Sequence, residues 1–276
     1  MLKNRLHITL PLAVLITGLA IWYQKTTGPT YPKKVELQMQ NQLVTLKLPR
    51  SHETTSDAQV SIPLWNNLMS AKLFYRRYPI DTLWMTQAFE ASREGTSLQA
   101  FLPRQAAAGK LEYYIEVIDQ DQPKQMLGTP QEPIMIRFKG VVPALILGPH
   151  VLFMFFAMFL SVLAGLEAFF KTRLFFPIAL AATSSLALGG LLLGPLVQKN
   201  AFGVYWAGFP YDWDLTDNKL LIAFIFWMIA LAAQWRKSRP RFVMLAAVVL
   251  VGVYSIPHSL HGSQYNYQTQ TVEINR

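Results

Sequence analysis

Cysteine is absent from the 276 residues, which excludes disulfides, thiolate metal sites and a cysteine nucleophile. Charge is scarce. Asp, Glu, Lys and Arg together make up 15 % of the chain, against roughly 25 % in ordinary soluble domains. That scarcity argues against a cytosolic enzyme, and a 52 % share of apolar residues argues against disorder. GxSxG, the phosphate-binding P-loop and HExxH are also missing, so the sequence carries no self-contained catalytic motif.

What is present is unevenly spread. Apolar runs occupy residues 6–23, 141–170, 174–197, 220–235 and 242–257, each near the ~20 residues a helix needs to cross a bilayer. The sequence therefore predicts five transmembrane helices. Residues 1–23 form the first span, and four more follow at about 149–170, 174–197, 218–235 and 241–257 within a 141–257 membrane domain. Lys3 and Arg5 precede the first run as in a signal peptide, but the run ends in Ile21-Trp22-Tyr23 with no small-x-small cleavage site. It reads as an uncleaved signal anchor with an interfacial aromatic end.

Lysine and arginine set the expected orientation. With the N-terminus inside, the inner segments hold Lys3, Arg5, Lys171, Arg173, Arg236, Lys237, Arg239 and Arg241; the short outer ones hold Lys199, Lys219 and Arg276. This positive-inside bias places residues 24–140, the outer loop 198–217 and the tail 258–276 outside the cytoplasm, in the periplasm if the membrane is a bacterial inner one. It also accounts for much of the +9 net charge. No basic stripe interleaved with aromatics remains to bind nucleic acid.

Residues 34–139 alternate polar and apolar side chains in short pieces, such as Val35-Glu36-Leu37-Gln38-Met39, Leu43–Leu48 and Ile134-Met135-Ile136-Arg137-Phe138. Seven or eight such strands bounded by Pro, Asn, Ser or Gly predict an all-β sandwich. The run Ala71-Lys72-Leu73-Phe74-Tyr75-Arg76-Arg77, then Leu83-Trp84, Leu98–Pro103 and Gly109-Lys110-Leu111-Glu112-Tyr113-Tyr114-Ile115-Glu116-Val117-Ile118-Asp119 resembles extracytoplasmic fibronectin-III and immunoglobulin-like domains. The resemblance covers about 70 residues and implies a binding or spacer module without catalytic residues. Phe74-Tyr75 and Tyr113-Tyr114 are expected to pack across facing strands. His52, in Ser51–Asp57, reads as part of a solvated loop rather than a metal-binding one.

In the membrane part the chemistry-bearing residues collect at one depth. His150 is expected to open the second span after Pro149, since proline favours a first helical turn. His258 and His261 follow the fifth span, and Asp214 and Asp217 lie in the aromatic-rich outer loop. His150, Met154 and Met158 recur every four residues and so share a helix face. One imidazole and two thioethers suit copper(I) or a haem, with carboxylates as further ligands or hydrogen-bonding partners. The same residues also have a structural reading: interfacial polar groups, core methionines, and Asp214 or Thr216 as a helix cap with Asp217 near the helix's positive end. Glu167 is expected to pair with Lys171 at the inner surface.

Two classes of function follow. One is a membrane subunit that binds haem or copper near the outer face through His150 and His258, with His261, Met154, Asp214 and Asp217 as metal ligands, for electron transfer or metal handling. The other is a non-enzymatic anchoring or assembly subunit whose β domain docks another membrane or extracytoplasmic protein.

Overall fold

A computed structural model describes residues 5–28, 30–39, 42–66, 68–119, 122–235, 237–256 and 263–273. The chain forms two compact units: a helical one from residues 1–29, 142–263 and 274–276, and a β unit from residues 30–141 and 264–273.

In the helical unit, α1 spans Leu6–Thr27 and α2 Ala144–Phe169. A third continuous helix begins as α3 (Phe175–Leu186), widens into a π-helical segment (Ala187–Leu193) and ends as α4 (Gly194–Phe202). Next come α5 (Leu215–Ala232) and α6 (Pro240–Ser255). Four of these, α1, α2, α3–α4 and α5, are long and apolar enough to cross a membrane; α6, with 16 residues, is shorter. Five such helices were expected. Proline at the first turn of α6 and extended backbone at Ile256 limit the fifth.

Small residues let the helices approach. Ala157, Ala164 and Ala168 of α2 and Ala246 and Ala247 of α6 are buried in one core around Trp227 and Leu186. A Cβ added at Gly165 would lie 2.7 Å from the Ala247 Cβ, so this crossing depends on glycine. The second helix begins five residues earlier than expected: Pro143 is its N-cap and Pro149 lies inside it. Proline tolerates the first turn, yet here the apolar run upstream is already helical, which puts His150 in the second turn.

Among the described residues the β unit has eleven strands before α2: β1 Lys33–Met39, β2 Gln42–Leu48, β3 Ser51–Glu53, β4 Ala58–Pro63, β5 Ser70–Tyr78, β6 Met85–Ala88, β7 Glu90–Ala91, β8 Ser97–Leu102, β9 Lys110–Asp119, β10 Gln122–Leu127 and β11 Ile134–Lys139. One sheet runs β3-β11-β9-β5-β6, with β10 also on β9; a second runs β4-β8-β7; β1 and β2 pair as a hairpin. Side-chain alternation puts Val60, Ile62, Leu98 and Leu102 from one sheet against Leu73, Leu111, Ile115 and Ile136 from the other in a single core. Burying these side chains contributes about 1.5–3 kcal/mol each before entropy is subtracted. The expected cross-strand aromatic pairs form: Tyr75 faces Tyr113, and Phe74 faces Tyr114 with rings stacked at 4.6 Å.

The tail returns to this unit. β12 (Gln264–Asn266) and β13 (Thr271–Glu273) form a hairpin. The Tyr265 N–H donates to the Ala108 carbonyl (3.1 Å), and the Tyr267 hydroxyl donates to Gln105 Oε1 (2.8 Å). Lys110 Nζ donates to Gln264 Oε1 (3.4 Å). Burial holds the Tyr267 phenol up at about 12 and, with Arg137 nearby, holds the Lys110 ammonium down at about 8.

Candidate functional site

The loop before α5 is built around its two acids. Asp214 caps α5: its carboxylate accepts from the N–H groups of Thr216 (2.8 Å) and Asp217 (3.2 Å). Asp217, in the first turn, accepts from the Ala207 N–H at 2.6 Å and also from Gln198 and the Gly208 N–H. Asn218 Oδ1 takes the Phe209 N–H (2.8 Å). Gly208 sits so close that an added Cβ would lie 2.7 Å from the Asp217 Cβ. Both acids are buried, with their oxygens engaged by backbone donors. This geometry matches the capping alternative. Among the described residues no group of three His, Cys, Asp or Glu side chains could hold a metal ion.

His150 and Met154 meet the π-helical segment. His150 Nδ1 lies 2.8 Å from the Gly189 carbonyl. A carbonyl can only accept, so Nδ1 carries the proton and Nε2 is the ring's other nitrogen. The Gly189 carbonyl also accepts the Gly194 N–H, five residues on. Gly189 lets this segment lie against α2: an added Cβ would stand 2.8 Å from the Phe153 Cβ and 3.2 Å from Met154 Sδ. The Met154 carbonyl accepts the Tyr254 hydroxyl at 3.2 Å. Met158 is fully buried in the helical core. His258 and His261 lie outside the described residues.

Two polar features carry no motif. Glu167 is fully buried and accepts hydrogen bonds from the hydroxyls of Thr9 on α1 and Thr172 after α2; Thr9 and Thr172 are buried as well. The expected pairing with Lys171 does not form: Lys171 is exposed and leaves the helix with φ of 52°, which turns its side chain out of the helical i,i+4 position. The second feature is a polar pocket in the β unit, lined by Thr30, Ser51, His52, Glu53, Thr55, Ser56 and Lys139. His52 Nε2 is 3.1 Å from Ser56 Oγ, and its ring meets the Phe138 ring edge-on. The isolated carboxylate in an apolar run was the sequence signal for Glu167; the pocket has no linear signal, because β3 and β11 assemble it across some 85 residues.

No known protein-family model and no curated protein matches this sequence.

Proposed function

We propose that this protein is an integral-membrane anchoring and assembly subunit with five spans. Its immunoglobulin-like β unit and C-terminal tail lie on the extracytoplasmic side, where the β unit docks a protein partner. The observation that carries the reading is the tail hairpin Gln264–Glu273 in the β unit. A chain that leaves the β unit at residue 141 and rejoins it at 264 crosses a bilayer an even number of times in between. Three helices in that interval, α2, α3–α4 and α5, have the length and composition to cross. Parity supports α6 as the fourth, with Arg239 and Arg241 reaching the inner headgroups from its short start. The sheet orders support the immunoglobulin-like reading: β4-β8-β7 corresponds to strands B-E-D and β6-β5-β9-β10 to C′-C-F-G. The engagement of Asp214 and Asp217 with backbone donors favours a structural role for the outer loop.

The absence of native cysteine makes the test clean. In spheroplasts, single-cysteine variants Gln131→Cys and Gln268→Cys should react with an impermeant maleimide, and Lys237→Cys should react only after permeabilisation. Opposite reactivities at 131 and 268 overturn the reading. Gentle-detergent purification should yield a stoichiometric partner protein; recovery of the chain alone overturns the assembly role.

A haem or copper subunit is the second reading, favoured by the His150 Nδ1–Gly189 contact, which is how a protein commonly orients a ligating imidazole. Purified protein with a Soret band or stoichiometric copper, lost in His150→Ala, would select it.

A further inference from the structure

Strand register gathers cations at one end of the β unit. Lys33 opens β1 opposite Leu48, the last residue of β2. Two residues on, the Arg50 carbonyl accepts the Arg137 N–H at 3.1 Å, and Arg137 pairs with Lys110 on β9. Lys139, two residues beyond Arg137, faces Glu53. Alternation points Lys110, Arg137 and Lys139 away from the core, since their neighbours Leu111, Ile136 and Phe138 are the buried ones. Gln38 of β1 bonds Gln125 of β10 near the other end of β9, so both hairpins run in the same sense and Lys33 belongs to this end. Lys33, Arg50 and Lys139 take part in no ion pair among the described residues.

The same end holds three of the four covalent links to the helical unit. Thr30 follows the last residue of α1 by three positions, Lys139 precedes α2 by five, and Gln264 bonds Lys110. Between the first two links lies the polar pocket. Thr30, Ser51 and Ser56 offer hydroxyls and Lys139 an ammonium, while Glu53 is the one acid in its lining. His52, held on Ser56, completes the floor against Phe138. Hydroxyl donors around an ammonium are the chemistry that holds a phosphate oxygen.

We propose that this pocket binds the phosphate group of a phospholipid headgroup, with the surrounding cations favouring anionic lipid. The proposal rests on reading α1 and α2 as spans, because three to five residues of chain keep the pocket within roughly 10–17 Å of their ends at full extension. One basic side chain at an anionic surface is worth about fivefold in affinity, and salt screens the attraction.

The test uses full-length protein in a neutral detergent. Binding of dihexanoyl-phosphatidylglycerol, dihexanoyl-phosphatidylcholine and inorganic phosphate is read from phosphorus NMR line broadening. Phosphatidylglycerol should bind most tightly, about fivefold more weakly in Lys139→Ala and near wild type in Lys139→Arg. Ser56→Ala should also weaken it, and Lys72→Ala, at the far end of β5, should not. Equal binding by wild type and Lys139→Ala, or an equal loss in Lys72→Ala, overturns the pocket. Inorganic phosphate binding as tightly as the lipid overturns the lipid source and assigns the pocket to a soluble phosphate. Short-chain lipids reach the pocket from any side, so a failure of the topology appears only in the maleimide labelling.

Discussion

Replacing Glu167 tests whether one carboxyl fastens α1 to the rest of the helical unit. The Thr9 hydroxyl donates across from α1, and the Thr172 hydroxyl donates from just beyond the helix end. Interhelical hydrogen bonds in membrane proteins contribute about 0.6 kcal/mol on average and up to about 1.7. Thr9→Val should therefore cost about that much. Glu167→Ala loses both bonds and leaves a void, so about 2–4 kcal/mol is expected. Glu167→Gln keeps one acceptor oxygen and should fall between. The double variant decides the matter: Thr9→Val should cost much less once Glu167 is Ala, leaving a coupling of about 0.6–1.7 kcal/mol. The assay is SDS-induced unfolding in mixed micelles followed by tryptophan fluorescence, with Trp227 buried in the core as a reporter. Additive single effects would refute the bond. Lys171→Ala should change nothing; a loss matching that of Glu167→Ala would restore the surface ion pair that the geometry replaces.

The β unit should respond to pH through two groups near the tail. Lys110, held at about 8 against its usual 10.5, binds fewer protons folded than unfolded between those values, so stability rises with pH across that window. Tyr267, held at about 12 against 10, keeps its proton longer when folded, so stability falls as pH climbs from 10 towards 12. Thermal melts of the β-unit transition should show the rise and then the fall, and Lys110→Met should remove only the rise. Gly208→Ala should displace the loop before α5 and cost about 1–3 kcal/mol through overpacking; faster proteolysis within 203–214 would report it, and an unchanged rate would count against the close contact with Asp217. Asp217→Ala should open the same loop more than Asp214→Ala, because Asp217 holds the Ala207 N–H through its carboxylate, whereas Asp214 reaches the Ala207 carbonyl through a backbone N–H that alanine keeps.

Much of the fold is legible in the residues themselves. Apolar runs marked the helices because length and composition are local properties, and strand alternation marked β1, β2 and β11 for the same reason. The π-helical segment was not legible. Gly189-Gly190 gives close approach to neighbouring helices, but the Gly189 carbonyl is also held by the His150 side chain from another helix, a contact that no local pattern encodes. The tail hairpin escaped because Gln264–Glu273 is short and polar and pairs with residues some 150 positions away. Around the candidate site, Asp214 was readable as a cap from its place before an apolar run. Which role Asp217 takes depends on a loop fold that brings Ala207 back to it, and no spacing rule encodes that.

The returning tail has a consequence for biogenesis. The ribosome makes residues 264–273 after every helix, yet their partners around Ala108, Gln105 and Lys110 are made before α2. Under the proposed topology the β unit closes only when four later helices have threaded the bilayer in the right order. One failed crossing would strand the hairpin in the wrong compartment and leave Gln105, Ala108 and Lys110 without their tail partners. Completion of the β unit is thus a readout, on one side of the membrane, of insertion events within it.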